Sequence, residues 1–136
     1  MTQTTPRRLA DFAGDWRLDR RIEDALGAPA RFEGRASWTP CAEGLLLLET
    51  GTLTIEGQGS FAAERRYLWA DDLNVCFDDG RFFHQVPARG GDTEHWCDPD
   101  RYLVHYDFTG WPRFTTTWQV AGPRKSYRMV SVYTRD

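Results

Sequence analysis

The sequence predicts an all-β fold, an up-and-down antiparallel β-barrel of about ten strands with a short N-terminal helix plugging one end. Three observations carry this. Short strand-like runs alternate with tight turns along the chain, and no long helical period interrupts them. Aromatic residues make up 14% of the chain, with six Trp, five Tyr and eight Phe, a load suited to strands and to the inside of a barrel. The two ends also match. Asp11-Phe12-Ala13-Gly14-Asp15-Trp16 opens one strand and Tyr127 to Arg135 closes another on an arginine. If the last strand returns to pair with the first, Trp16 stacks under Arg135 and closes the barrel.

The elements follow in order. Thr5 to Phe12 reads as one short helix, with Thr5 as N-cap and Pro6 where a first-turn proline is tolerated. Strand one is Trp16 to Glu23, and Leu26-Gly27-Ala28-Pro29 turns the chain. Strand two, Arg31 to Thr39, ends at Pro40. Strand three, Gly44 to Ile55, begins with four leucines, and Gly57-Gln58-Gly59 is a hairpin turn. Strand four is Ser60 to Trp69 and strand five Leu73 to Phe77, followed by the turn Asp78-Asp79-Gly80. Strand six is Arg81 to Val86 and strand seven Thr93 to Cys97, with Gly90-Gly91 between them. Asp98-Pro99-Asp100 turns into strand eight, Tyr102 to Phe108. Gly110-Trp111-Pro112 leads to strand nine, Phe114 to Val120, and Gly122-Pro123 to strand ten, Lys125 to Arg135. Turns this short favour a meander over a Greek key.

Alternation proposes a lumen, because strand neighbours point to opposite faces. In strand one, Arg17, Asp19, Arg21 and Glu23 must face water, which sends Trp16, Leu18, Arg20 and Ile22 inward. Strand two adds Phe32, Gly34, Ala36 and Trp38. Strand three adds Leu47, Glu49, Gly51 and Leu53, and the aromatic face of strand four brings in Arg65, Tyr67 and Trp69. Strand eight contributes Tyr102, Val104, Tyr106 and Phe108. Strand ten contributes Tyr127, Met129, Ser131, Tyr133 and Arg135, although Val130 and Val132 leave its opposite face open.

At 136 residues the chain predicts a single domain over 1–136. A net charge of −3 argues against a nucleic-acid partner, which needs a basic face. No apolar run approaches the roughly 20 residues that span a bilayer, so no membrane partner is expected. Met1 to Arg8 has no apolar stretch after its charges and does not read as a secretory leader. Cys41, Cys76 and Cys97 are an odd count without a Cys-x-x-Cys pair, so we read three free thiols and a cytoplasmic location. A Cys76–Cys97 bridge is the alternative. The sequence sets no oligomeric state.

Together these residues resemble a bacterial family of calycin-like proteins known only as a domain of unknown function. The shared features are Phe12-x-Gly14-x-Trp16 with Arg20 and Ile22, Glu49-x-Gly51-x-Leu53, Arg65-x-Tyr67-x-Trp69, Asp79-Gly80-Arg81-Phe82-Phe83-His84, His95-x-Cys97-x-Pro99-Asp100-x-Tyr102, Trp111-Pro112 and Gly122-Pro123-Arg124-Lys125-x-Tyr127. The resemblance implies a lipocalin-like or fatty-acid-binding-protein-like barrel and no established activity. Between strands one and two there is too little chain for the helical lid of fatty-acid-binding proteins.

The candidate ligand site is the lumen: Arg20, Glu49, Arg65, Tyr67, His84, His95, Tyr102, Tyr106 and Tyr127. Arginine offers a planar fork matched to a carboxylate or phosphate. Two buried arginines against one glutamate leave charge for an anion to complete. The expected partner is therefore a small molecule with an acidic group and a flat or apolar body. Two alternatives stand. The arginines, Glu49 and tyrosines can form a closed structural network in a filled barrel. Or the lumen can be a cofactor-free enzyme site, decarboxylase- or isomerase-like, on the analogy of phenolic acid decarboxylases, with an arginine holding a carboxylate and a glutamate moving a proton. His84 and His95 are expected directly opposite in a hairpin, roughly 5 Å apart at Cβ. No metal spacing accompanies them, so no metal is expected. Haem barrels of the nitrobindin type use a histidine near the C-terminus; the last strand has none, so no cofactor is expected. Arg124 and Lys125 can form a basic lip that steers an anion.

Overall fold

The computed structural model describes residues 5–135. The reading of Met1 to Arg8 falls partly outside them. One short helix, α1 (Leu9–Phe12), precedes ten strands: β1 (Gly14–Asp24), β2 (Ala30–Cys41), β3 (Gly44–Ile55), β4 (Gly59–Trp69), β5 (Asn74–Phe77), β6 (Phe82–Gln85), β7 (Gly91–Cys97), β8 (Asp100–Asp107), β9 (Phe114–Gly122) and β10 (Lys125–Arg135). All ladders are antiparallel, in the spatial order β6-β5-β4-β3-β2-β1-β10-β9-β8-β7. The up-and-down barrel is nearly closed. Its seam lies between β6 and β7, which touch but share no ladder among the described residues.

Every strand boundary falls within two residues of the sequence reading, and the helix start and the β2 end differ for clear reasons. The helix is shorter than expected, because Arg8 is extended and its N–H donates to the Asp11 carboxylate at 2.8 Å, fixing the helix start there instead of at Thr5. Arg7 N–H is tied instead to Ala88 O, at 2.7 Å, in the β6–β7 connection. β2 runs through Pro40 to Cys41. The β1 ladder ends at Gly14–Trp38, so the missing N–H of Pro40 deprives no β1 acceptor.

The closure pairs Trp16 with Arg135 in the β1–β10 register. The Arg135 guanidinium lies 3.9 Å from the Trp16 ring centre and donates to Ala13 O at 2.7 Å and Asp11 O at 2.6 Å. It thus holds the carbonyls that end α1 while covering the indole. Trp16 Nε1 donates to Phe12 O at 2.9 Å. Phe12 is fully buried and plugs this end of the barrel, with ring centres of Trp69, Trp111 and Trp38 at 5.0, 5.3 and 5.8 Å.

One bare strip interrupts the wall. Gly34 and Gly51 are register partners on β2 and β3, flanked by Leu18 and Ala63. A Cβ on Gly34 would run into the backbone of Thr50 and Gly51, and one on Gly51 into Glu33 O. The two strands therefore approach as only glycine allows. No helix of the structure is long and apolar enough to cross a membrane.

Candidate functional site

The lumen has two levels. At the inner level, β1 carries Arg20, β3 Glu49 and β10 Ser131 and Tyr133, all inward by alternation and all at most 5% exposed. Arg20 Nη2 donates to Glu49 Oε2 at 3.1 Å and to Tyr133 OH at 3.2 Å, and Nε donates to Ser131 Oγ at 2.7 Å. Tyr133 OH donates to Glu49 Oε2 at 2.6 Å. Arg20 Nη1 stands 3.0 Å from Oε1, a charge contact in which the N–H is not aimed at the oxygen, so Oε1 keeps open hydrogen-bonding capacity. Burial opposes the charge of Arg20, but Glu49 and Tyr133 more than offset it and hold the pKa above the ordinary value. Burial, then the Glu49 charge, pushes the Tyr133 phenol well up, so it stays protonated and donates.

Beside this group, His84 (β6) and Tyr106 (β8) share a 2.7 Å contact between Nε2 and OH. Burial, with a smaller contribution from His95, pushes the His84 pKa down to about 3, so the imidazole is neutral. Trp38, Trp69, Leu47 and Val75 complete the walls. What remains is a cavity of about 30 Å³, room for about one or two waters.

The outer level is aromatic and partly open. Phe83 is its hub, 1% exposed, with ring centres of Phe77, Trp118, His95 and Tyr102 at 4.8, 5.2, 5.4 and 5.5 Å. Arg65 is the register partner of Glu49, but its guanidinium lies over Trp118, 5.8 Å from the ring centre, and it is only half-buried. Burial holds the Tyr67 phenol above its ordinary pKa, with the charge and hydrogen bond of Arg65 offsetting part of the rise. Tyr127 is raised by burial and by Tyr102, and lowered by Arg65 and Lys125. Lys125 Nζ reaches Tyr102 OH at 3.3 Å and Asp100 Oδ2 at 3.1 Å, joining the two turns at this rim. Arg65 and Lys125 both act on Tyr127, so the two cations, the phenols and the rings lie near one another at this end.

A family model described as a family of unknown function, DUF6314, matches residues 12–135. The chain belongs to this family. No curated protein matches it. Among solved structures the chain is similar to the S-type phycobiliprotein lyase from Guillardia theta, with a TM-score of 0.65 at 9% identity, covering 94% of this chain and 90% of that one. The likeness shows a shared calycin-like, lipocalin-type barrel, as expected from the sequence.

In this DUF6314 chain the nine candidate residues divide between the levels. Arg20, Glu49, His84 and Tyr106 lie inside; Arg65, Tyr67, Tyr102, Tyr127 and His95 lie further out, with Tyr67 bordering both. One expected pairing fails. His84 and His95 do not oppose each other, because β6 and β7 form no hairpin ladder: His84 faces Val75 on β5 and His95 faces Tyr102 on β8. A register irregularity between Val75 and Cys76 turns Phe83 inward beside His84, and Phe83 stands against both imidazoles. Asp100 is engaged by Lys125. Charge-centred reasoning passed over Ser131 and Tyr133, which complete the coordination of Arg20, and the indole N–H groups of Trp38 and Trp69. Alternation had already placed all four inward. Nothing in the sequence marks the turn of Phe83. Among the described residues all three cysteines are free, and no three His, Cys, Asp or Glu side chains gather as a metal site.

Proposed function

We propose that this protein binds a small molecule with an acidic group and a flat apolar body in the outer level of the lumen. The carrying observation is the contrast between the two interior arginines. Arg20 is tied to Glu49, Ser131 and Tyr133. Arg65 instead lies over an aromatic face among phenols, half-buried and within reach of a ligand entering from solvent. A guanidinium fork above Trp118, with Lys125 at the rim, suits a carboxylate or phosphate. Tyr67, Trp118 and Phe83 offer rings to the body of such a ligand. That a barrel of this fold is named as a phycobiliprotein lyase supports the view that such a wall can carry a working site. Binding is favoured over acid–base catalysis at His84, whose imidazole burial holds neutral.

The test is a thermal-shift and tryptophan-fluorescence titration with phenylacetate and its neutral partner phenylacetamide. The acid is expected to bind and stabilise, the amide far less, and Arg65→Met to abolish the difference. Equal behaviour of acid and amide would overturn the assignment.

A further inference from the structure

We propose that the inner cavity recognises a hydroxyl group, which narrows the ligand to aromatic acids carrying a hydroxyl at the end remote from the acid. The inference rests on the reading above and adds a second contact point to it.

Four polar atoms on residues that line the cavity have no hydrogen-bond partner: Nε1 of Trp38, Nε1 of Trp69, Nδ1 of His84 and Oε1 of Glu49, the last with Arg20 Nη1 in charge contact at 3.0 Å. Their side chains come from four different strands and are at most 3% exposed. Buried polar groups are paired as a rule, and leaving them unmet is costly. Their chemistry dictates what meets them. The two indoles only donate, and the carboxylate oxygen only accepts. A group that satisfies both kinds must accept and donate at once. A carboxylate or phosphate has no proton for Glu49, an ammonium has no lone pair for the indoles, and a methyl has neither. A neutral hydroxyl has one proton and two lone pairs. His84 adapts to it, since the proton shared with Tyr106 can lie on either partner and leave Nδ1 as donor or acceptor.

Size and charge agree. About 30 Å³ admits a hydroxyl, with at most a water beside it, and excludes an aromatic ring. The ligand's body must then lie outward, against Tyr67, Trp118 and Phe83, which border the same cavity. Arg20 neutralises Glu49 across the bare Gly34–Gly51 strip, so the cavity asks for no second charge. In the free protein water can serve the same atoms. A ligand hydroxyl replaces it and keeps its hydrogen bonds, whereas a hydrogen or a methyl ether in that position does not.

The experiment compares para-hydroxyphenylacetate, phenylacetate and para-methoxyphenylacetate by calorimetric titration of the full chain. A parallel ¹⁵N spectrum follows the indole N–H signals. The hydroxy acid is expected to bind about tenfold tighter or more than phenylacetate, and the methoxy acid no better than phenylacetate. The indole signals of Trp38 and Trp69 are expected to shift downfield of their free positions with the hydroxy acid alone. Trp69→Phe, which keeps a ring but removes the donor, should shrink the preference to about threefold or less. The wild-type spectrum decides the matter if that variant does not fold. If the three acids bind alike, still dependent on Arg65, the hydroxyl inference falls and the acid site stands. If no acid binds, both fall.

Discussion

Arg20 and Glu49 face each other across β2, from β1 to β3, with nitrogen–oxygen distances of 3.0 and 3.1 Å and almost no exposure to water. In the β1–β2–β3 register, Arg20 stands level with Phe32 and Glu49 level with Ala36, so the pair bridges a step that contains Gly34 and Gly51.

Breaking this pair from one side should be severe. Glu49→Gln leaves a buried guanidinium uncompensated and is expected to cost about 3–5 kcal/mol in urea unfolding. The double variant Arg20→Met/Glu49→Leu should recover most of that loss, because it removes both desolvated charges together. A double variant as unstable as Glu49→Gln would show that the pair does more than balance itself.

The bare strip makes its own prediction. Gly34→Ala or Gly51→Ala drives a Cβ into the facing backbone and should destabilise by about 1–3 kcal/mol or more. Gly57→Ala, where nothing approaches but φ is +77°, tests backbone strain alone and should cost less. Chemical unfolding of the three proteins checks the order.

Closure is tested at the chain ends. Trp16→Ala should cost about 3–5 kcal/mol, as for other large buried truncations. Arg135→Ala should cost less, since its side chain is exposed and its loss releases two carbonyls that water can reach. Equal losses would mean that the capping bonds, not the indole, secure the closure.

His84 gives a pH dependence of defined sign. Its pKa falls from 6.5 to about 3 on folding, so below about pH 6.5 the unfolded chain takes up a proton that the folded one refuses. Stability therefore falls as pH falls, by up to about 1.4 kcal/mol per unit, until the folded pKa is reached. His95, also lowered by burial, adds in the same direction. Relative to His84→Gln, the wild type should lose about 2 kcal/mol between about pH 7 and pH 5. The carboxylates held low by their partners, Asp79, Glu94 and Asp107, titrate alike in both proteins. Parallel curves would mean that folding does not lower the His84 pKa.

Much of this architecture was legible in the sequence, because a half-buried strand writes its two faces in alternate residues. The charged face of β1 sent Arg20 inward, and the aromatic residues of β4 and β8 did the same for Arg65 and Tyr106. What alternation cannot give is how far a side chain reaches along the lumen. Arg65 is the register partner of Glu49 and Arg20 stands four residues off its row on β1, yet Arg20 locks onto it and Arg65 lies over Trp118. Irregular pairing was equally hidden. The break between Val75 and Cys76 turns Phe83 inward, and an expected β6–β7 hairpin became the one wall without a ladder.

That unzipped wall has a consequence for the chain as a polymer. The first and last strands, β1 and β10, pair in the middle of the sheet, while the sheet's two edges, β6 and β7, come from the middle of the sequence. Eight of the nine ladders join strands consecutive in the chain; the ninth, β1 with β10, must bring together residues more than a hundred positions apart. A circular permutant opened in the β6–β7 connection, with the old ends joined by a linker, would read β7 to β10 and then β1 to β6. Every strand would then pair with its sequence neighbour, and contact order would drop with no change in the set of native ladders. Such a permutant is expected to fold faster than the natural chain.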